Sequence, residues 1–252
     1  DRAVACAPSV ASVRWARFAA RVEWGDEAGA LADAESLEAA ADGATQRHQV
    51  LIQAAGQLVA RGATRAAGQL FERALRYAPD DAQATYGLAR ALSGQGKQER
   101  ALVLLERAVE LGEASGAVPA DALLELARIL AERLGDYPQA IARIVQVPAS
   151  AERGIEALAL EGRWRAALGD LRGASLAFGR LRDACERLGR ARALPDAVAW
   201  LTEAAEFESH SLGDLAAAER HLASALRLAP RNPRIRRLYR RTAAALSRKP
   251  QD

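Results

Sequence analysis

Apolar residues recur along most of this chain at intervals of three and four, the spacing that places side chains on one face of a helix. The pattern is sharpest from His48 onward. Leu51, Ala54-Ala55 and Leu58 make one stripe, Ala67, Phe71 and Ala74 make a second, and Pro79 closes the segment. The arrangement restarts after Ala82 with Leu88-Ala89 and Leu92, then Ala101, Leu105 and Ala108. It returns as Leu123, Leu126-Ala127 and Leu130 followed by Ala140, Ile144 and Val147, and as Leu158 and Gly162 followed by Ala174, Phe178 and Leu181. A fifth copy has Ala205, then Ala218, Leu222, Ala225 and Pro230. Prolines fall between periodic segments, where they end one helix and let the next begin. Val, Ile and Thr are too scattered to read as strands.

The joints between stripes repeat as well. Gly25-Asp26, Gly135-Asp136, Gly169-Asp170 and Gly213-Asp214 each sit where one helix should end and the next begin. Glycine can adopt the left-handed backbone that terminates a helix, and aspartate can cap the following one. The turn Ser93 to Lys97 is glycine-rich in the same place. The first Gly-Asp pair implies a worn N-terminal unit over Val10 to Ala41. After Pro230 a single amphipathic helix is expected, with Ile235, Leu238, Tyr239, Thr242 and Leu246 inward and arginines outward.

Serial helix pairs with small residues at their closest approach, Ala and an aromatic on the second helix, and a terminal proline resemble the tetratricopeptide repeat. The His48–Asp81 unit carries the fullest match, and the resemblance extends over nearly the whole chain. It implies an all-α fold, a right-handed α-solenoid of antiparallel helix hairpins. The organisation expected is an N-terminal hairpin over residues 1–47, about five repeats over 48–230, and a basic capping helix and tail over 231–252. The third unit holds one extra residue before its second helix, which Pro148 should cut short. In the fourth, Glu161 and Arg165 stand where this family prefers apolar residues, which unsettles the register, and its second helix could run on to about Ala193.

Composition fits this reading. Alanine supplies 61 of the 252 residues, and it combines the best helix propensity with close helix approach. No apolar run reaches the length that crosses a bilayer. With no methionine present, residue 1 is not expected to be a translation start. Ala3-Val4-Ala5-Cys6 faintly resembles a lipoprotein cleavage site without the apolar region that should precede it. Cys185 reads as a buried thiol on a helix.

The net charge of +3 is small, and all but Lys97 and Lys249 of the 35 cationic residues are arginine. Charge is nevertheless uneven. Val22–Gln46 holds seven acidic residues and no Lys or Arg, whereas Arg231–Lys249 holds eight cations and no acid. Opposite ends of this kind would allow salt-dependent head-to-tail self-association. Nucleic acid is not an expected partner, since a capping helix needs a polar face in any case.

Candidate chemistry is sparse. His48, His210 and His221 make no metal-type pair in sequence, although His210 and His221 could face each other across the fifth hairpin. The glycines lie in turns and form no phosphate loop. No enzyme activity, metal or cofactor is expected. The family resemblance implies a concave surface built from the first helix of each hairpin. It places Arg90, Arg128 and Arg163 in register, Tyr86 and Leu124 one turn earlier, and Trp200 and Phe207 on the fifth unit. Such an arginine row suits carboxylate or phosphate groups, and the surface could take an extended acidic segment of another protein, unless the arginines are taken by Asp121, Glu125 or Glu132. The single Asn232 lies beyond the repeats, so the lysine and asparagine clamp by which some family members hold chaperone tails has no counterpart. The expected role is a bacterial scaffold or adaptor, cytoplasmic or in the envelope. The alternative is the sensing region of a larger signalling or transcription regulator.

Overall fold

The turns at Gly25-Asp26, Gly169-Asp170 and Gly213-Asp214 each join two helices that pack on one another. A computed structural model describes residues 11–150, 153–188 and 196–248. These contain thirteen α-helices and no strand. The stretch around Cys6 and the expected extension to Ala193 lie outside the described residues. The chain divides into two compact units after Ala122.

The first unit is built from α1 (Ala11–Trp24), α2 (Glu27–Ala40), α3 (Gly43–Ala60), α4 (Thr64–Tyr77), α5 (Ala82–Gly94) and α6 (Gln98–Ser115). Successive helices pack as neighbours, pairing as α1–α2, α3–α4 and α5–α6, with α4 also lying on α5. Alanine makes this close packing possible: Ala30, Ala34, Ala54, Ala55, Ala67 and Ala74 are all fully buried. Larger side chains fill the space between hairpins. Phe71 of α4 lies against Gly87 of α5 so tightly that a Cβ there would come within 2.3 Å of its ring.

The second unit holds α7 (Ala120–Glu132, whose first turn straddles the division), α8 (Tyr137–Ile144), α9 (Gly154–Ala167), α10 (Leu171–Leu188), α11 (Ala197–Phe207), α12 (Leu215–Leu228) and α13 (Pro233–Leu246). Helix α8 has only eight residues, as expected from Pro148 downstream. The register of α9 is regular despite its polar residues. Gly162 faces Phe178, and a Cβ would sit 2.4 Å from that ring. Glu161 is buried and accepts hydrogen bonds from Arg165 at 2.9 Å and Arg180 at 2.7 Å. Its charge is therefore matched inside the fold.

Helix endings follow one rule. Gly169 has φ 78° and Gly213 φ 67°, the left-handed conformation that glycine adopts without a Cβ penalty. The following residue donates back into the helix, as Asp170 does to the Arg165 carbonyl at 2.9 Å. Asp26, Asp136, Asp170 and Asp214 then each accept a backbone N–H three residues on. The fifth hairpin adds one feature. Beyond Phe207 its first helix widens into a π turn over Glu208–Leu212, and Asp214 donates to the Glu208 carbonyl six residues back at 2.9 Å. The third hairpin takes up its extra residue similarly, with Asp136 donating to the Leu130 carbonyl at 2.8 Å.

Candidate protein-binding surface

The first helices of successive hairpins are where exposed arginine meets apolar side chain. In the first unit, Gly56 of α3 and Gly87 of α5 leave room between these helices for a cleft of about 150 Å³. Ile52 and Val59 line one side, Phe71 and Tyr86 the other, and Arg90 stands at the rim. The Arg90 guanidinium lies 5.8 Å from the centroid of the Tyr86 ring, a cation–π arrangement. Tyr86 is nearly buried and Arg90 is exposed. Among the described residues no carboxylate pairs with Arg90.

The next two arginines of the series differ. Arg128 of α7 donates to Glu156 of α9 at 2.5 Å, and Arg153 grips the same carboxylate at 2.8 and 3.0 Å. Arg163 of α9 makes a two-pronged bond to Glu203 of α11. That bond, reinforced by the charges of Glu203 and Glu132 against the cost of burial, raises the guanidinium's pKa further. Both arginines therefore already hold a carboxylate from the first helix of the following hairpin. The partners are Glu156 and Glu203, where the alternative to a free arginine row names Asp121, Glu125 or Glu132. Leu124 is fully buried and gives no groove surface. Trp200 and Phe207 are half-buried against the core of the last hairpins, Phe207 with its ring 5.4 Å from that of Phe178.

Charge also ties helices together within and between hairpins. Arg73 of α4 bonds Glu35 and Glu38 of α2, and Tyr77 donates to Glu38 at 2.9 Å. Arg61 pairs with Glu23, while Arg17 and Arg21 hold the fully buried Asp33. The acidic stretch Val22–Gln46 is thus largely neutralised by arginines just outside it. In the second unit Arg227 and Ser224 of α12 bond Glu186 of α10.

One buried cluster had no sequence forecast. Glu208 in the π turn accepts a hydrogen bond from Ser175 at 2.7 Å and lies 3.9 Å from His221 Nε2, both residues being about 1% exposed. Desolvation raises the Glu208 pKa, with Ser175 opposing. Desolvation, helped by Arg182 and Arg220, pushes His221 down to about 4. His210 lies elsewhere: it is exposed, with Nδ1 2.8 Å from the Glu206 carbonyl. No group of three His, Cys, Asp or Glu side chains able to hold a metal occurs among the described residues. No helix among them is long and apolar enough to cross a membrane.

Residues 58–118, from the end of α3 through α6, match the tetratricopeptide repeat family. That segment has the tetratricopeptide-repeat pattern. No curated protein sequence matches the chain. Solved structures with similar backbones include tetratricopeptide-repeat proteins. The C-terminal part of one from Cytophaga hutchinsonii superposes with a TM-score of 0.61 at 15% identity, covering 92% of this chain and 89% of that one. YrrB, described as a TPR protein with an unusual peptide-binding site, gives 0.52 at 18% identity, covering 76% and 91%. The type IV pilus biogenesis factor PilW gives 0.54 at 17% identity, covering 80% and 87%. At these identities the likeness speaks for the tetratricopeptide-repeat fold alone.

Proposed function

We propose that this protein, with its tetratricopeptide-repeat fold, is a passive scaffold that holds a segment of another protein on α3 and α5, the first helices of two hairpins in its first unit. The Arg90 cleft is the point of entry. One observation carries the reading: Arg128 and Arg163 each hold a carboxylate from within the fold, whereas Arg90 offers the same guanidinium over an apolar cleft with no carboxylate of its own. A partner segment supplies an acidic group to Arg90 and an apolar side chain to the space between Ile52, Val59 and Phe71. The cleft is preformed, so binding orders little of the protein. A peptide-binding site on YrrB is in keeping with such a role.

Peptides selected from a random library on the immobilised full chain test this. Winners should pair an acidic with an apolar residue, and Arg90→Ala should weaken them about ten-fold, the worth of one charge-assisted hydrogen bond. Selected peptides that bind Arg90→Ala as well as the original chain would remove the cleft from the proposal.

A further inference from the structure

The last helix departs from the rest of the molecule in how its charge is handled. Elsewhere many arginines are held by carboxylates of their own or a neighbouring hairpin. On α13, Arg234, Arg236, Arg237, Arg240 and Arg241 are all exposed, and the helix contains no acidic residue. Arg234 alone has a carboxylate near, Glu206 at 3.9 Å, and its side chain remains 79% exposed. At 3.6 residues per turn, Arg234, Arg237 and Arg241 form one row and Arg236 and Arg240 the next. The opposite face of the helix is already used, with Ile235 buried and Leu238 and Tyr239 packed on the core of the last hairpins.

Arg241, at the end of the first of these rows, borders a groove. Between the end of α11, the π turn, α12 and α13 lies a space of about 230 Å³. Leu215, Leu222 and Leu238 form its apolar floor, and Arg241 and Thr242 stand on its α13 side. Glu206, Ser209 and His210 stand on the other side. Glu206 adjoins Arg234, so an anion is drawn to the Arg237–Arg241 end.

We propose that this groove and the arginine row beside it form a second docking point, specific for a polyacidic segment of a partner protein that carries one aliphatic side chain. Charge complementarity supplies the first half of the argument, because among the described residues no carboxylate pairs with Arg236, Arg237, Arg240 or Arg241, and Arg234 has only Glu206 at 3.9 Å. The apolar floor supplies the second half. A phosphate backbone has nothing to place there, whereas a leucine-sized side chain fills it. The fold itself shows how its arginines hold carboxylates, in the two-pronged Arg163–Glu203 and Arg153–Glu156 pairs. The inference rests on reading the chain as a protein-binding scaffold, but on different residues in a different unit.

The probes are a synthetic twelve-residue Asp/Glu peptide with one central Leu, the same peptide with Ser in that place, and a twenty-base-pair DNA duplex. Each is titrated against the full chain by fluorescence anisotropy over a salt series. The Leu peptide should bind at least about ten-fold more tightly than the Ser peptide, as expected from burying one aliphatic side chain. The double substitution Arg237→Ala/Arg241→Ala should weaken both peptides and flatten their salt dependence. Ala245→Leu, which fills the groove from α13, should erase the preference for Leu while leaving the salt-dependent attraction. Circular dichroism establishes that both variants remain helical. Equal binding of the Leu and Ser peptides overturns the proposal. A duplex that binds more tightly than the Leu peptide and ignores Ala245→Leu overturns it in favour of phosphate. Loss of Leu-peptide binding in Arg90→Ala but not in Arg237→Ala/Arg241→Ala overturns it while leaving the α3–α5 cleft intact. Failure of Arg90 to affect library-selected peptides, with the α13 results as expected, sinks only the earlier reading.

Discussion

The fourth and fifth hairpins bury a glutamate apiece and treat it in opposite ways. Glu161 of α9 is about 2% exposed and receives hydrogen bonds from Arg165 and Arg180. Glu208, at the end of α11, is equally buried but has Ser175 as its hydrogen-bond donor and His221 at 3.9 Å. Its Oε2 and His221 Nδ1 have no hydrogen-bond partner among the described residues. The helix pairs around them are alike, so the difference is local. A buried carboxylate is tolerable when cations on its own and the neighbouring helix can reach it, and costly when only a hydroxyl and a desolvated imidazole can. The π turn marks the costly site: the extra residue that widens the helix also carries Glu208 into the interior.

This contrast predicts stability changes of opposite sign. Glu161→Gln should destabilise by about 2 kcal/mol, because the buried acceptor shared by Arg165 and Arg180 loses its charge and turns an amide NH2 group towards a guanidinium. Glu208→Gln should be neutral or stabilise by up to about 1 kcal/mol, since the amide keeps the Ser175 bond without the desolvated charge. Urea unfolding of both variants at neutral pH is the check. Two losses of equal size would mean that the glutamates are equivalent after all.

Acid separates the hairpins further. His221 takes a proton at its ordinary value near 6.5 when unfolded, but only at about 4 when folded. The unfolded chain therefore binds the extra proton between these values, and stability should fall as pH drops from about 6.5 to 4, by up to about 3 kcal/mol. Glu208 acts in the reverse direction, because its raised pKa lets the folded state accept a proton first and favours folding as the pH falls. His221→Gln should flatten the acid limb, and Glu208→Gln should steepen it. Unfolding midpoints recorded at half-unit pH steps would show both, and an unchanged limb in His221→Gln would place the acid sensitivity elsewhere.

What the sequence disclosed follows the range of the interactions. Gly-Asp turns were legible because both residues act within one turn of each other. Arg90, Arg128 and Arg163 were legible as equivalent positions, but the state of each was not. Glu203 lies 40 residues from Arg163 and Glu156 lies 28 from Arg128, so no local pattern joins them. Leu124 misled because α7 is apolar over most of its circumference, with Leu123, Leu124, Leu126 and Ala127 all buried. Periodicity alone does not say which apolar stripe borders a groove. The π turn did leave a trace. Gly162 precedes Gly169 by the same interval as Ala55 precedes Gly62, whereas Ala205 precedes Gly213 by one residue more, as Ala127 does Gly135. The extra residue was visible; the glutamate it would bury was not.

The smallest expected effect tests whether the turn aspartates act as caps or accompany glycine for another reason. Helix α8 starts at Asp136 with φ −87° and ψ 72°, and Asp136 accepts from the Gln139 N–H at 3.0 Å. Helix α6 starts at Lys97 with a similar backbone, φ −86° and ψ 60°, and has no side-chain cap. Lys97 follows Gly96 as Asp136 follows Gly135, so the two turns differ chiefly in that one side chain. Asp136→Ala should cost about 1 kcal/mol, and Lys97→Asp should gain about as much. Part of the gain would come from replacing a cation with an anion at the positive end of the helix dipole. Thermal unfolding of the two variants at high and low salt divides these contributions, because the dipole share is screened and the hydrogen bond is not. If Lys97→Asp gains stability only at low salt, aspartate in these turns acts through its charge, and the cap geometry at Asp136 is incidental to its worth.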